Sequence, residues 1–354
     1  MNKQSSFQSF YILIILFFLW GFLTSLNDIL VPHLKSAFEL KNWQAQLILF
    51  FFFGDYFVMS IPAGIIIKKV GYKKGIVFGL ALMGLACLLF IPAANIKVYG
   101  VFLLALFVLA SGITILQVAA NPYVAILGPS ETAASRLNLA QGFNSLGHTI
   151  APLFGAWLIL QNTATVDVES VKLPYVLLGL TLLLLSGIFS FIKLPNVHSE
   201  VSDKMGFSWL RYPHLYLGAI AIFCYVGAEI SIGSFLVEYF KTDPSIALAN
   251  KTAGSYVAFY WGGAMIGRFL GAISLSGEKS FFKMIIVPII AIVVVFLVLH
   301  VKDMPTSMGV GFAIVLTLNF IAFHFGKSVS NQQLALFAIC NMILLAVTMT
   351  TNGD

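Results

Sequence analysis

The sequence is poor in charged residues. Only 10% of its 354 residues are Asp, Glu, Lys or Arg, whereas a soluble domain carries about 25%. Hydrophobic residues make up 59%, and the mean hydropathy is +0.95. No stretch is polar enough to form a soluble domain of useful size. The composition therefore predicts an all-α, polytopic membrane protein surrounded by a lipid bilayer.

Cysteine is also scarce. The three cysteines, Cys87, Cys224 and Cys340, each lie within an apolar run and lack the spacing of metal ligands. The sequence contains no H-E-x-x-H metal signature, no phosphate-binding P-loop and no Ser–His–Asp arrangement. These absences give little support to a disulfide framework, a metal site, a cofactor or an enzymatic activity.

The lysines and arginines indicate topology rather than a surface for nucleic acid. The net charge is +6, but the basic residues lie in short segments between apolar runs. With a cytoplasmic N-terminus, 13 of the 20 Lys and Arg residues fall in inner segments and 7 in outer ones. The positive-inside rule therefore favours a multi-pass protein of the plasma membrane with a cytoplasmic N-terminus, and we expect a bacterial inner membrane.

The apolar runs are long enough to cross a bilayer, which takes about 20 helical residues. The first run reaches Val31 without a small-residue cleavage site, which favours a retained span over a signal peptide. The sequence predicts eleven spans, near residues 9–32, 45–67, 74–94, 98–126, 137–161, 174–193, 213–240, 253–275, 283–301, 307–325 and 331–350.

A polar connector divides the predicted spans into two groups. Residues 194–212 follow six spans and are typical of a cytoplasmic linker between the two bundles of a transporter. The sequence thus predicts a six-helix N-terminal bundle over 1–193 and an incomplete C-terminal bundle over 213–354. Because only five runs follow the linker, we interpret the chain as truncated at its C-terminus. A genuine eleven-span protein is the alternative.

Amides are concentrated in two neighbouring predicted spans. Gln117 and Asn121 are four residues apart, so they share one helix face. Such groups are costly at lipid depth unless they face a wet cavity or a partner helix. Hydrogen bonding between helices would explain a single amide, but two aligned stripes favour a polar pathway. Beyond a short hinge, the second stripe consists of Asn138, Gln141, Asn144, Ser145 and His148.

Apart from Glu238, which lies near the outer boundary of its span, three acidic residues lie inside predicted spans, where a central charge costs at least ~3 kcal/mol. Asp28 lies toward the outer third of the first span, where it could take up and release a proton. Glu229 lies near the middle of the seventh span, on the same face as Tyr225. Asp55 could face a cavity or pair with a basic group on another helix, and the sequence leaves both alternatives open.

This mixture of amides, carboxylates and aromatic rings matches the chemistry of a sugar. Amides and carboxylates exchange hydrogen bonds with hydroxyls, and an aromatic ring stacks on the C–H face of the sugar. A cationic solute would need more carboxylates. An organic anion would need basic residues inside the spans, whereas Arg268 is predicted at a span end. The candidate sugar ligands are Trp20, Asn27, Tyr56, Gln117, Asn121, Gln141, Asn144, Tyr225 and Trp261.

Several segments are similar to those of a known family. The chain resembles the fucose/proton and glucose/galactose permease family of the major facilitator superfamily over roughly residues 1–301. Some members carry an extra pair of helices after the ninth span, and residues 307–350 are similar to that pair. The segments with the resemblance are LWGFLTSLNDILVPHL, IPAGIIIKKVGYKKG, QVAANPYVAILGP, SRLNLAQGFNSLGHTIAP and YVGAEISIGSFLVEY.

The resemblance implies a major-facilitator fold, with a cavity between two six-helix bundles lined chiefly by the first and fourth helices of each half. It places Asp28, Gln117, Asn121 and Glu229 around one central site and matches Asp28 to the carboxylate of the family's first span. Fucose/proton members carry a glutamate where this chain has Gln117. Because an amide cannot release a proton, this difference favours the glucose/galactose branch.

We therefore expect a monomeric secondary active transporter that imports a neutral hexose, of glucose/galactose type or fucose, with an ion. A proton is the preferred ion, and Asp28 is the predicted coupling group. Glu229 is predicted to be either a second proton carrier or a sugar ligand. The alternatives are sodium coupling, sugar export, and a membrane receptor that binds sugar without transporting it.

Overall fold

The computed structural model of the chain describes residues 3–158, 171–192, 194, 211–242 and 250–276. Within these ranges, the side chains of 3–8, 27–29, 32, 42, 152–158, 233–242, 250–260 and 274 are not described. The regular elements of the described residues are helices, with no strand. They are α1 (Lys3–Ala37), α2 (Asn42–Val70), α3 (Tyr72–Ile96), α4 (Tyr99–Ile126), a short 3-10 helix (Ser130–Thr132), α5 (Ala133–Leu158), α6 (Lys172–Phe191), α7 (Pro213–Thr242) and α8 (Asn250–Ser274).

The helices follow the apolar runs, and the helical prediction is confirmed over the described ranges. Each of the first eight predicted spans overlaps one helix. The predicted spans near 283–301, 307–325 and 331–350, and most of the predicted linker, lie outside the described residues. Within the part of the chain that the structure describes, six segments are long and apolar enough to cross a membrane: Ser9–Leu26, Trp43–Val70, Tyr72–Ile96, Tyr99–Ile126, Lys172–Phe191 and Pro213–Ile232.

α5 and α8 are long but less apolar than the other helices, because they carry several polar side chains. They contain 26 and 25 residues, enough to cross a bilayer as helices. α5 packs against α1 on one side and against α8 on another. A helix with polar groups is stable at membrane depth when other protein elements cover those groups. The packing of α5 between α1 and α8 supplies that cover.

A shared hydrophobic core joins α1 to α6. It includes the fully buried Leu13 and Phe17 of α1 and Leu106 of α4. α3 packs against both α4 and α6, and α2 packs against α4. The rings of Phe90 on α3 and Tyr175 on α6 stack with their centroids 3.9 Å apart. These contacts hold the helices that carry the polar residues at fixed positions.

α1 and α5 approach closely where two glycines face the partner backbone. A Cβ atom at Gly147 would collide with the carbonyl oxygen of Phe18, and one at Gly21 would collide with that of Asn144. Small residues permit such close approach between membrane helices. Across this contact, the amide nitrogen of Asn144 donates to the carbonyl oxygen of Phe17 at 3.0 Å.

Arg136 holds the turn between α4 and α5. Its guanidinium donates to the carbonyl oxygens of Val124 at 3.1 Å, Ala125 at 2.5 Å and Pro129 at 3.0 Å. It also donates to the hydroxyl oxygen of Thr132 at 2.6 Å. The last carbonyls of a helix lack hydrogen-bond donors within the helix. At the end of α4, Arg136 provides those donors. Arg136 thereby sets the direction in which α5 leaves the turn, and with it the position of the α5 stripe.

Replacing Gly147 with alanine should weaken the packing of α1 on α5, because the added methyl group must displace the α1 backbone. Overpacking of this kind costs about 1–3 kcal/mol. We expect the G147A variant to unfold at a clearly lower temperature than the wild type in detergent. The matched control is G187A on α6, where an added Cβ meets no atom within 4 Å. Equal unfolding midpoints for the two variants would contradict the close contact.

Candidate functional site

The first group of predicted ligands meets around the hydroxyl group of Tyr56 on α2. The side chains of Trp20 and Thr24 on α1 and of Gln117 on α4 all lie close to this hydroxyl. Trp20, Thr24, Tyr56 and Gln117 are each half-buried. Trp20 and Thr24 are four residues apart and share one face of α1. Three predicted sugar ligands from three helices are therefore brought together here, with Thr24 beside them.

Gln117 retains an unused donor in this group. Its amide nitrogen is buried and has no acceptor among the groups that the structure describes. A buried donor without an acceptor costs about 1–3 kcal/mol, so a ligand hydroxyl that accepts from this nitrogen would recover that energy. The side chains of Asn27 and Asp28, two further predicted site residues, lie outside the described residues.

The amide side chains of α4 and α5 meet one helical turn beyond Gln117. Gln141 Nε2 donates to Asn121 Oδ1 at 3.4 Å, and both residues are half-buried. Asn144 has a different environment, because it is only 4% exposed and its amide nitrogen bonds to the α1 backbone. Gln141 thus faces the α4 amides, whereas Asn144 serves the contact between α1 and α5.

Ser145 and His148, the last residues of the polar stripe on α5, contact α8. Arg268 donates a hydrogen bond to the hydroxyl group of Ser145. The ring of Trp261 lies almost parallel to that of His148, at an interplanar angle of 8° with centroids 5.8 Å apart. Trp261 and Arg268 are seven residues apart, so they lie two turns from each other on one face of α8. The predicted ligand Trp261 is therefore beside the α5 stripe.

Arg268 also binds the acidic residue of α7. Its Nη2 atom is 2.7 Å from Glu229 Oε1, and the two side chains are 18% and 12% exposed. The Tyr225 hydroxyl donates to the same carboxylate oxygen at 3.2 Å. The sequence placed Arg268 at a span end, but its guanidinium group lies between α5 and α7. Its spacing of two turns from Trp261 was the signal that could have revealed this position.

These residues form a polar track that extends from α1 and α2 to α7 and α8. Its parts are joined by hydrogen bonds, lie close together around the Tyr56 hydroxyl, or lie one helical turn apart. One joint is the hydrogen bond from Ser145 Oγ to the carbonyl oxygen of Gln141, at 3.1 Å. The polar track consists of Trp20, Thr24, Tyr56, Gln117, Asn121, Gln141, Ser145, Arg268, Glu229 and Tyr225.

Asp55 lies apart from the polar track, between α2 and α4. It is 1% exposed, and its carboxylate oxygens accept from Ser111 Oγ at 2.6 Å and Thr114 Oγ1 at 3.1 Å. Neither alternative from the sequence describes this environment, because the partners are hydroxyl groups rather than a cavity or a basic side chain. Ser111 and Thr114 share one face of α4, and that spacing was the overlooked signal.

Known proteins share much of this sequence and its helical arrangement. The Major Facilitator Superfamily model matches residues 12–349. A glucose/galactose transporter of Brucella abortus (biovar 1, strain 9-941) is 56% identical over 271 residues, which cover 74% of this chain. The chain spans 66% of the length of that relative. The L-fucose-proton symporter of Escherichia coli (strain K12) is 39% identical over 301 residues, with 76% of this chain and 68% of the symporter covered.

A solved structure extends the likeness to three dimensions. The crystal structure of the major facilitator superfamily transporter FucP in the outward conformation superposes with a TM-score of 0.69 at 30% identity. The superposition covers 95% of this chain and 97% of the FucP chain. By sequence and by fold, the chain belongs to the Major Facilitator Superfamily, in the group that contains glucose/galactose transporters and L-fucose-proton symporters.

Proposed function

We propose that the protein is a secondary active transporter that imports a neutral hexose together with a proton. The polar track is the observation that carries the proposal, because it joins amides, a carboxylate and aromatic rings from six helices in an otherwise apolar molecule. The names of two relatives, a glucose/galactose transporter and an L-fucose-proton symporter, support the same class of solute.

The balance of charge along the polar track favours a neutral solute. Arg268 is the cation of the track, and its ion pair with Glu229 neutralises it. An organic anion would need a cation that is available for binding, and the track offers amides and hydroxyls instead. Amides can both donate to and accept from neighbouring hydroxyl groups. A hexose of glucose/galactose type presents such hydroxyls around its ring.

The rings and amides can divide the recognition of a hexose between them. Trp20 and Trp261 are the candidate stacking surfaces for the C–H face of the sugar. Tyr56 and Gln117 supply a hydroxyl group and an amide on the α1–α2–α4 side of the track. Gln141 adds an amide from α5. Binding at all of these groups would bring α1, α2, α4 and α5 into contact with one solute.

Asp28 is the proposed coupling group. It follows Thr24 by four residues on α1, so it extends the face that carries Trp20 and Thr24 toward the end of the helix. Proton uptake from outside would neutralise Asp28, sugar would then bind, and movement of the two halves would expose the site inward. The proton can drive this cycle only if it binds the outward and inward states with different affinities.

The D28N variant separates coupling from sugar binding. We expect it to exchange labelled sugar in counterflow but to lose most of its proton-driven accumulation, because asparagine cannot release a proton. The matched control is E131Q, at an exposed acidic residue between α4 and α5, which should accumulate sugar normally. Unchanged accumulation in D28N would rule out Asp28 as the coupling group.

The same liposome assay distinguishes the alternative functions. Wild-type protein that binds labelled sugar without moving it across the membrane would be a receptor rather than a carrier. Accumulation driven by an imposed sodium gradient, in the absence of a proton gradient, would identify sodium as the coupling ion. Proton-driven accumulation without any response to sodium is the result expected here.

The Y56F variant tests the sugar site itself. Removing the hydroxyl group leaves a hydroxyl of the bound sugar without its partner, at about 1–3 kcal/mol. We therefore expect sugar affinity to fall roughly tenfold, since each 1.4 kcal/mol is about a factor of ten. Y11F is the control, because the Tyr11 side chain is 56% exposed on another face of α1. Equal affinities for the two variants would remove Tyr56 from the site.

The ion pair favours the ligand role for Glu229 over the proton-carrier role, because its carboxylate already contacts the guanidinium of Arg268. In E229Q, the guanidinium of Arg268 loses its counter-charge inside the protein, at a cost of up to about 3 kcal/mol. We expect a lower unfolding midpoint in E229Q and substantial recovery in the double variant E229Q/R268Q. A double variant that retains sugar exchange but loses proton-driven accumulation would instead make Glu229 a proton carrier.

A further inference from the structure

Asp55 is a buried acidic residue that the proposed sugar site does not use. It lies near the middle of α2, 1% exposed, and faces α4. Its side chain forms no ion pair within the described part of the chain, and its partners are the hydroxyl groups of Ser111 and Thr114. An ionised carboxylate is costly inside a membrane protein unless a cation or several donors compensate it.

The hydrogen bonds around Asp55 have too few protons for their acceptors. Ser111 Oγ is 2.6 Å from Asp55 Oδ1 and 2.9 Å from the carbonyl oxygen of Phe107. Thr114 Oγ1 is 3.1 Å from Asp55 Oδ2 and 2.9 Å from the carbonyl oxygen of Ala110. Each hydroxyl group has one proton to donate. Two protons therefore serve four acceptor oxygens when Asp55 is ionised.

One additional proton on Asp55 improves this balance. The protonated carboxyl group can donate to Ser111 Oγ, and the proton of Ser111 can then turn to the carbonyl oxygen of Phe107. When the proton leaves, the Ser111 hydroxyl can turn back toward the carboxylate. Rotation of one hydroxyl thus accommodates both protonation states without movement of the backbone.

No charged side chain of α4 can compensate the charge of an ionised Asp55, because α4 contains no Asp, Glu, Lys, Arg or His. Tyr56, next to Asp55 in the sequence, interacts with it electrostatically. α2 itself also carries Lys68 and Lys69, in its last turn. The titratable groups of the helices packed against α2 are Lys3, Tyr11, Asp28, His33 and Lys35 of α1, Tyr72, Lys73, Lys74 and Cys87 of α3, and Tyr99 and Tyr123 of α4.

We propose that Asp55 is a second proton-binding group of the transport cycle, located between α2 and α4 beside the sugar site. The inference rests on the proposed proton-coupled sugar transport. Thr114 is three residues before Gln117 on α4, and Tyr56 follows Asp55 on α2. The helix that carries Asp55 and the helix that binds its carboxylate therefore each also carry a proposed sugar ligand.

Sugar and proton binding are coupled through the contact between α2 and α4. A sugar that bonds to Tyr56 and Gln117 holds these helices together, which keeps the proton of Asp55 away from water. Release of the sugar allows the contact to open, and the proton passes to water. Each ligand then changes the affinity for the other by the same factor, as linkage requires.

The D55N variant tests the proposal, because asparagine keeps two polar atoms at the site but cannot take up or release a proton. In proteoliposomes, wild-type protein should move two protons per sugar and D55N one, with sugar exchange retained in both. With the membrane potential held at zero and an inward gradient of about one pH unit, the limiting accumulation should fall about tenfold. A D55N variant with the wild-type proton stoichiometry would overturn the proposal, since a purely structural role leaves that number unchanged.

Carbodiimide labelling of the wild-type protein provides a test that does not depend on folding of the variant. N,N′-dicyclohexylcarbodiimide adds to a protonated carboxyl group: the acid proton moves to a carbodiimide nitrogen, and the carboxylate oxygen bonds to the central carbon. We expect the labelled fraction of Asp55, measured by peptide mass spectrometry, to fall as the pH is raised, because ionisation removes the proton that the addition requires. Labelling of Asp55 that is absent or independent of pH would overturn the proposal.

The assay also separates failure of this inference from failure of the proposed function. Wild-type protein that moves no sugar, or moves it without protons, would refute the proposed transport function and the role of Asp55 with it. Wild-type protein that couples sugar to protons, with Asp55 unlabelled and D55N unchanged in stoichiometry, would refute the role of Asp55 alone. In that case the buried carboxylate would serve only the packing of α2 on α4.

Discussion

The need to satisfy polar groups away from water governs how these helices pack. A bilayer offers no hydrogen bonds, so each amide, hydroxyl or charge inside a span must find a partner on another element. The contact between α1 and α5 shows the consequence. Gly21 and Gly147 allow the two backbones to approach, and the Asn144 amide then reaches the carbonyl oxygen of Phe17. α5 is thereby held where its other polar side chains can face α4 and α8.

The same constraint separates polar residues that stabilise the fold from those available for binding. Asn144 belongs to the first kind, because its amide nitrogen is occupied by the α1 backbone. Gln117 keeps an amide nitrogen without an acceptor among the described groups, beside the hydroxyl group of Tyr56. Unused donors of this kind are where a hydroxylated solute can bind with the greatest gain, because the cost of leaving them unpaired is already present in the folded protein.

The contacts made by α8 differ in strength according to their partner. Its ion pair runs from Arg268 to Glu229 on α7, within the predicted C-terminal bundle. Its contacts with α5, in the predicted N-terminal bundle, include one hydroxyl hydrogen bond and the parallel rings of His148 and Trp261. Breaking a buried ion pair is far more costly than breaking a contact to a hydroxyl group or a ring. The proposed movement between halves would therefore separate α5 from α8 and leave the ion pair intact.

The sequence by itself determined the membrane class, the positions of the described helices and the residue types of the proposed sugar site, because hydropathy and helical periodicity are local properties. It named Tyr56 and Gln117 among the candidate sugar ligands, yet it missed the partners of Asp55 and the position of Arg268. Those depend on which faces of α2, α4, α5, α7 and α8 meet, and on how far a flexible side chain reaches across the interface. Only the tertiary structure decided that Asn144 is used in packing and that Glu229 has a counter-charge, since both follow from distances between helices that lie far apart in the chain.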